Sequence, residues 1–277
     1  MSVQLPTEQE LDQARLRLEI DGTVATIVLN RPDRRNAMTG RTWRTLAQVG
    51  DALPEQVRVV VVRGEGGTFS AGIDLAMFQP EGPGGETSLL AQAQQAAESD
   101  NGRAELDTII AGVQRGFLWL RRPDLVTIAA VNGHAIGAGF QLALSCDIRV
   151  LAEDAQLCMK EPALGLVPDL TGTKPLVDQV GLNRAIELCL TARTVNADEA
   201  RDLRLAEVVV PNSELDATVG DLTGALLGVP AEAATATKDL LQRAAGAATV
   251  TEAAVAERAA QVERLYAMLP GAQSGTQ

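Results

Sequence analysis

The sequence predicts an α/β fold of recurring strand, glycine-turn and helix units with a helical C-terminal region, and three observations carry that expectation. Two apolar runs, Val57 to Val62 and Leu125 to Val131, are almost unbroken, as strands covered on both faces require. Each run ends in glycines: Gly64, Gly66 and Gly67 after the first, Gly133, Gly137 and Gly139 after the second. One strand-and-helix unit with a common loop geometry therefore occurs at least twice. Beyond Val180 the chain turns Ala-rich with helical periodicity.

Taken in order, Arg15 to Ile20 alternates strictly, Asp21-Gly22 is a type I′ turn signal, and Thr23 to Leu29 continues as a β-rich run, which together read as a hairpin. Thr39 is placed to cap a helix whose apolar positions are Trp43, Leu46, Ala47, Val49 and Leu53. Gln79 to Gly85 reads as a loop, either a lid or a plain surface connection, with a weak Ala/Gln-rich helix behind it. Phe140 to Cys146 reads as a buried helix, and Ile148 to Ala152 and Gln156 to Met159 as strands. Asn196 with Glu199 three positions on has the form of a capping box. Ala231 to Met268 gives one or two amphipathic helices, a subdomain or a docking surface for another subunit, and Gly271 to Gln277 a disordered tail. The expected division is a core over 1–200 and a helical region over 201–277.

Composition excludes several functions. With 277 residues, 46% of them hydrophobic, the chain can bury a large core. A net charge of −12 has the wrong sign for a nucleic-acid partner. No apolar run approaches the roughly 18 to 20 residues that span a bilayer, and Met1 to Asp12 has no secretory character, so a cytoplasmic protein without a membrane partner is expected. Cys146, Cys158 and Cys189 lack metal spacing and read as reduced core residues; with His134 the single histidine, no ordinary metal site is expected. An anionic ligand needs a local basic patch, and Arg31, Arg34 and Arg35 crowd one loop, as such a patch or as a solvated turn.

The two glycine turns, Thr68 to Leu75 and Asn132 to Gln141, allow backbone dihedrals that point N–H groups into a cleft, and a helix starting there adds the positive end of its dipole. Facing each other, they can set one N–H from each on a single oxygen; losing one such donor costs about 3 to 4 kcal/mol of transition-state stabilisation. Either turn alone can equally be structural. Neither has the G-x-G-x-x-G order of a dinucleotide site, and Ser70 lacks the G-x-S-x-G elbow and a base.

Asn30-Arg31-Pro32 with Asn36-Ala37, the run Phe69 to Leu75, the run Ala130 to Gly139, Ser145-Cys146-Asp147 and the run Gly165 to Asp169 together resemble the enoyl-CoA hydratase/isomerase family, the crotonase superfamily. The resemblance runs in order from about Leu16 to Val210. It implies a crotonase-like (ClpP/crotonase) spiral of ββα units, assembly as homotrimers or hexamers, and a coenzyme A thioester as substrate with no permanently bound cofactor. It sets the oxyanion-hole amides on Ala71 and Ala138. It also puts Ser70, Ala71, Gly72, Ile73, Asp74, Leu75 and Gly137 against the acyl-CoA, with Arg34, Arg35 and Ala37 near its phosphates.

Family hydratases hold a water between two glutamates. Here the first of those positions is Gln141, which cannot accept a proton at neutral pH, and the second is Glu161. Glu161 alone is enough to move a proton between two carbons of a thioester enolate, so double-bond isomerisation is expected first. A hydratase using Glu161 and a water held by Gln141 comes next, and a silent acyl-CoA binder is the alternative of another class. Asp169, eight residues after Glu161, resembles the acid of the dienoyl-CoA isomerase branch; as a residue after Pro168 it equally suits a helix N-cap. Arg204 stands where the family usually has glycine, so the helix end there is expected to differ.

Overall fold

The computed structural model describes residues 4–246 and 248–269; the tail Gly271 to Gln277 lies outside them. In chain order the elements are α1 (Glu8–Gln13), β1 (Leu16–Asp21), β2 (Val24–Leu29), α2 (Gly40–Ala52), β3 (Val59–Gly64), α3 (Leu89–Ala97), α4 (Gly102–Leu118), β4 (Val126–Val131), β5 (His134–Ile136), α5 (Ala138–Ser145), β6 (Ile148–Ala152) and β7 (Gln156–Cys158). They continue as α6 (Thr173–Val180), α7 (Leu182–Thr191), β8 (Val195–Asn196), α8 (Ala197–Asp202), β9 (Val208–Val210), α9 (Leu215–Leu227), α10 (Ala231–Ala245) and α11 (Val250–Ala267).

One sheet runs β1-β2-β3-β4-β6-β9 and is parallel apart from the first hairpin; a second, β5-β7-β8, lies beside the first glycine turn through a bridge between Ser70 and Ala135. Strand parity explains why the two apolar runs are unbroken. Val60 and Val62 of β3 face the main core with Trp43, Leu46 and Phe117, whereas Val59 and Val61 face Leu215 and Val219 of α9 with Ile128 and Ala130 of β4. Both faces are buried, so a polar side chain there must be hydrogen-bonded, as Thr127 of β4 is to Leu120 O at 3.0 Å.

The division at residue 200 is corrected by this topology. β9 continues the main sheet by pairing with β6, and α9 covers its second face, so the sheet and its packing extend well past 200. The hairpin turn also falls one residue later than expected: Asp21 pairs with Val24, which leaves Gly22 and Thr23 as the loop. Thr39 caps α2 as expected, its N–H donating to Thr42 Oγ1 at 3.2 Å, while Glu86 from the 79–88 loop accepts from Arg41 N at 2.8 Å. The half-expected capping box at Asn196 is present on one side only: Asn196 Oδ1 accepts from Glu199 N at 2.9 Å, but Glu199 turns its carboxylate to Arg193.

The helix end at Arg204 does not differ as expected: Arg204 takes the left-handed conformation that suits glycine, with φ +62°. A β-carbon there costs about 1 to 2 kcal/mol, against roughly 0.5 to 1 kcal/mol for the extra chain entropy of glycine. Arg204→Gly is therefore expected to stabilise the protein by about 0.5 to 1 kcal/mol, read as a higher denaturant midpoint at unchanged slope.

Candidate active site

The first glycine turn is held from three sides. Ser70 N–H donates to His134 O at 2.7 Å and Ile136 N–H donates to Ser70 O at 3.0 Å, which ties the turn to β5. Met38 N–H donates to Gly72 O at 2.7 Å and Asp74 N–H donates to Met38 O at 2.8 Å, which ties it to the segment before α2. Buried Asn36 then fastens the arginine loop to the same turn, donating to Glu65 O at 3.0 Å and Thr68 O at 2.7 Å. From Ser70 to Asp74 every N–H of the turn but one is paired, Ala71 with Arg35 O at 2.8 Å and Gly72 with Ser70 Oγ at 3.1 Å among them. Asp74 is paired and Ile73 is not: its N–H has no acceptor among the described residues.

This corrects the assignment to Ala71. The Ala71 N–H is already spent on Arg35 O at 2.8 Å, so the free amide of this turn is Ile73, two residues on. The second turn does leave Ala138 free, as the first helical residue of α5 after Gly137, whose φ of +51° and ψ of −119° suit glycine. The turns are in close contact: a β-carbon built on Gly72 would stand 2.4 Å from Ile136 O and 3.4 Å from Ala138 N.

Glu161 closes the site. It opens the short 3-10 turn Glu161–Leu164, is only 9% exposed, and its Oε1 lies 3.2 Å from the place a Gly137 β-carbon would occupy. Gln141, fully buried on α5, donates from Nε2 to that Oε1 at 2.6 Å, and Glu161 Oε2 is buried without a partner. Burial raises the Glu161 pKa, only partly offset by its own backbone amide and the Gln141 donor, and the charge of Asp169 raises it further. Asp169 is half-buried and itself raised by burial. It does not cap a helix, since α6 begins at Thr173 behind Gly172, so its alternative structural role falls away.

Other expected contacts fall elsewhere. Ser70 is fully buried, with Oγ donating to Asn36 O at 2.8 Å and accepting from Gly72 N at 3.1 Å, so its hydroxyl fastens the turn from within and cannot meet a ligand. Asp74 is likewise occupied: Oδ1 accepts from Ala76 N at 2.9 Å and Oδ2 pairs with Arg31 Nη1 at 2.6 Å. Burial works against its ionisation, but the Ala76 amide and Arg31 outweigh it and hold the carboxyl below its ordinary range. Arg34, Arg35 and Leu75 are exposed, Ala37 half-buried, and neither Arg34 nor Arg35 makes an ion pair among the described residues. Gln141 also differs from its expected role as a water holder: its Oε1 is filled by Leu170 N at 2.9 Å and Gly172 N at 3.2 Å. His134 serves through its backbone and its side chain is exposed.

Two facing amides beside a buried carboxylate suit an enolate, and comparison with known proteins decides the lineage. A family model described as enoyl-CoA hydratase/isomerase matches residues 19–266. The chain belongs to the enoyl-CoA hydratase/isomerase family. This family member is 32% identical over 231 residues to the peroxisomal Delta(3,5)-Delta(2,4)-dienoyl-CoA isomerase of Arabidopsis thaliana, covering 82% of this chain and 80% of that protein. It is 31% identical to the short-chain-enoyl-CoA hydratase of Clostridium acetobutylicum, again over 82% and 80% of the two chains. Among solved structures, a Thermobifida fusca YX protein provisionally assigned as an enoyl-CoA hydratase and solved with CoA is 60% identical, with a TM-score of 0.89 over 95% of this chain and 97% of that one. The same protein in complex with acetoacetyl-CoA gives a TM-score of 0.90 over 96% and 100%. The fold is thus crotonase-like, and the chain is an enzyme of the enoyl-CoA hydratase/isomerase class.

Proposed function

We propose that the protein isomerises carbon–carbon double bonds of enoyl-CoA and dienoyl-CoA thioesters. The observation that carries this reading is the single buried carboxylate, Glu161, beside two unpaired amides, with a neutral glutamine where a hydratase would need its second acid. In this reading the Ile73 and Ala138 amides hold the thioester oxygen. Glu161 Oε2 takes a proton from C2 of a 3-enoyl thioester; the C–H electron pair enters the conjugated enolate, and the proton returns at C4 as the 2-enoyl product forms. Charge moves onto the oxygen and back, so no external oxidant or reductant is consumed. Arg34 and Arg35, exposed and without ion pairs among the described residues, are read as contacts for the phosphates of coenzyme A, acting within a Debye length of about 8 Å despite the net charge of −12.

Asp169 favours the dienoyl version. A 3,5-dienoyl thioester must be protonated at C6, farther from the first carbon than one carboxylate conveniently serves, and a second raised acid near Glu161 suits that end. Asp169→Asn is expected to slow 3,5-dienoyl isomerisation by about a hundredfold, the low end for a general acid, while 3-enoyl turnover stays within a few-fold. Supplying a 3-enoyl-, a 3,5-dienoyl- and a 2-enoyl-CoA to the wild type tests the whole reading. Turnover of the 2-enoyl substrate alone would make the protein a hydratase, and tight binding without turnover of any would make it a silent acyl-CoA binder. Assembly as a homotrimer or hexamer is part of the same proposal; the exposed Leu182, Ile186 and Leu190 on one face of α7 favour a subunit contact, and light scattering on the eluting protein checks it.

A further inference from the structure

We infer that Gln141 is a positioning residue: it bolts one oxygen of Glu161 to the loop that carries Asp169, so that the other oxygen alone carries the proton. This rests on the isomerase reading and deepens it.

Three hydrogen bonds fix the glutamine completely. Its Oε1 accepts from Leu170 N at 2.9 Å and from Gly172 N at 3.2 Å, and its Nε2 donates to Glu161 Oε1 at 2.6 Å. Turning the amide over would aim its NH2 at two N–H donors and its carbonyl at a carboxylate, so one orientation is dictated. The loop is wrapped tightly on this side chain: a β-carbon on Gly172 would come within 2.7 Å of Gln141 Cγ. From the opposite side Gln114 of α4 donates to Asp169 O at 2.7 Å. The backbone on both sides of Leu170 is therefore clamped, and the clamp is tied directly to Glu161.

Two consequences follow for the proton. Glu161 Oε1 is occupied by the Gln141 donor, while Oε2 is buried and unpartnered among the described residues. The clamp is also uncharged. A neutral N–H favours the ionised form of Glu161, whereas a carboxylate at that distance would force the pair to share a proton. The other groups around Glu161 are Asp169, the Cys158 and Cys189 thiols, and Lys160 next along the chain; burial raises both thiols, which leaves Asp169, a carboxyl also raised by burial, as the acid whose charge acts on Glu161.

Gln141→Glu is the informative variant, because it preserves the acceptor for Leu170 and Gly172 and changes only the group facing Glu161. The expected result is an acid limb of the kcat profile raised by at least about one pH unit, and isomerisation at pH 7 lowered at least about tenfold with KM within about twofold. Titration of Glu161 by carboxyl ¹³C NMR, assigned by its absence in Glu161→Gln, should move upward by a matching amount. Gln141→Met, checked for folding by its thermal midpoint, removes the donor without adding charge and should raise the titration less. An unmoved Glu161 titration and an unmoved acid limb in Gln141→Glu would overturn the positioning role. If wild type isomerises nothing while the titration still moves in the variant, the positioning stands and the reaction assignment falls.

Discussion

Glu161→Gln is expected to lower kcat for double-bond isomerisation by about ten-thousandfold, near the upper end for one general acid–base group, with KM changed little. Glutamine keeps the shape and can still accept a hydrogen bond from Gln141, but it takes no proton from carbon at neutral pH. In wild type the rate should fall as pH drops through a limb above the ordinary glutamate value of about 4.3, because burial raises the Glu161 pKa. The same shift sets the sign of a stability effect. A carboxyl whose pKa is higher in the folded than in the unfolded chain supports folding when protonated, and that support is lost as pH rises through the folded value. Glu161→Gln removes the loss, so the inactive variant should melt at a higher temperature than wild type at pH 7, with the difference vanishing below about pH 4. Kinetics and thermal melts on the pair check both; a variant retaining a tenth of wild-type kcat would remove Glu161 from the chemistry.

The parts of this molecule that could be read in advance are those governed by neighbours in sequence. β3 and β4 announce themselves because burial on both faces favours runs dominated by valine, isoleucine and alanine, and Gly137 because the start of α5 needs φ +51°. What escaped was decided by partners far along the chain. Ala71 and Ile73 are both small steps along one turn, and which amide stays free depends on Arg35 O, reached by the folding of another loop. Gln141 reads from sequence as the holder of a water because the two amide donors that fill its oxygen lie 29 and 31 residues away. The Val208–Val210 run is too short to be told from a loop, and only its pairing with β6 makes it part of the main sheet. Arg31 shares the basic loop with Arg34 and Arg35, yet Asp74, 43 residues on, claims it.

Gly72→Ala should produce the second large loss, about a thousandfold in kcat, the upper figure for removing one donor from an oxyanion hole. The new methyl would stand 2.4 Å from Ile136 O, a backbone atom that cannot swing aside, and φ +89° already disfavours any side chain. Relief therefore requires the two glycine turns to separate, and separation pulls the Ile73 amide from the Ala138 amide. Gly137→Ala perturbs the site differently, since its methyl would press on the Glu161 carboxylate at 3.2 Å while straining the backbone at φ +51°. Gly22→Ala serves as the comparison: its φ of +55° carries a similar backbone cost of about 1 to 2 kcal/mol, but nothing lies within 4 Å and the hairpin turn is remote from the site. If convergence of the two amides is what stabilises the enolate, stability should fall in both Gly22→Ala and Gly72→Ala, and kcat only in the latter. A folded Gly72→Ala protein, verified by near-UV circular dichroism, that kept kcat within a few-fold of wild type would mean that the thioester oxygen is held somewhere other than between Ile73 and Ala138.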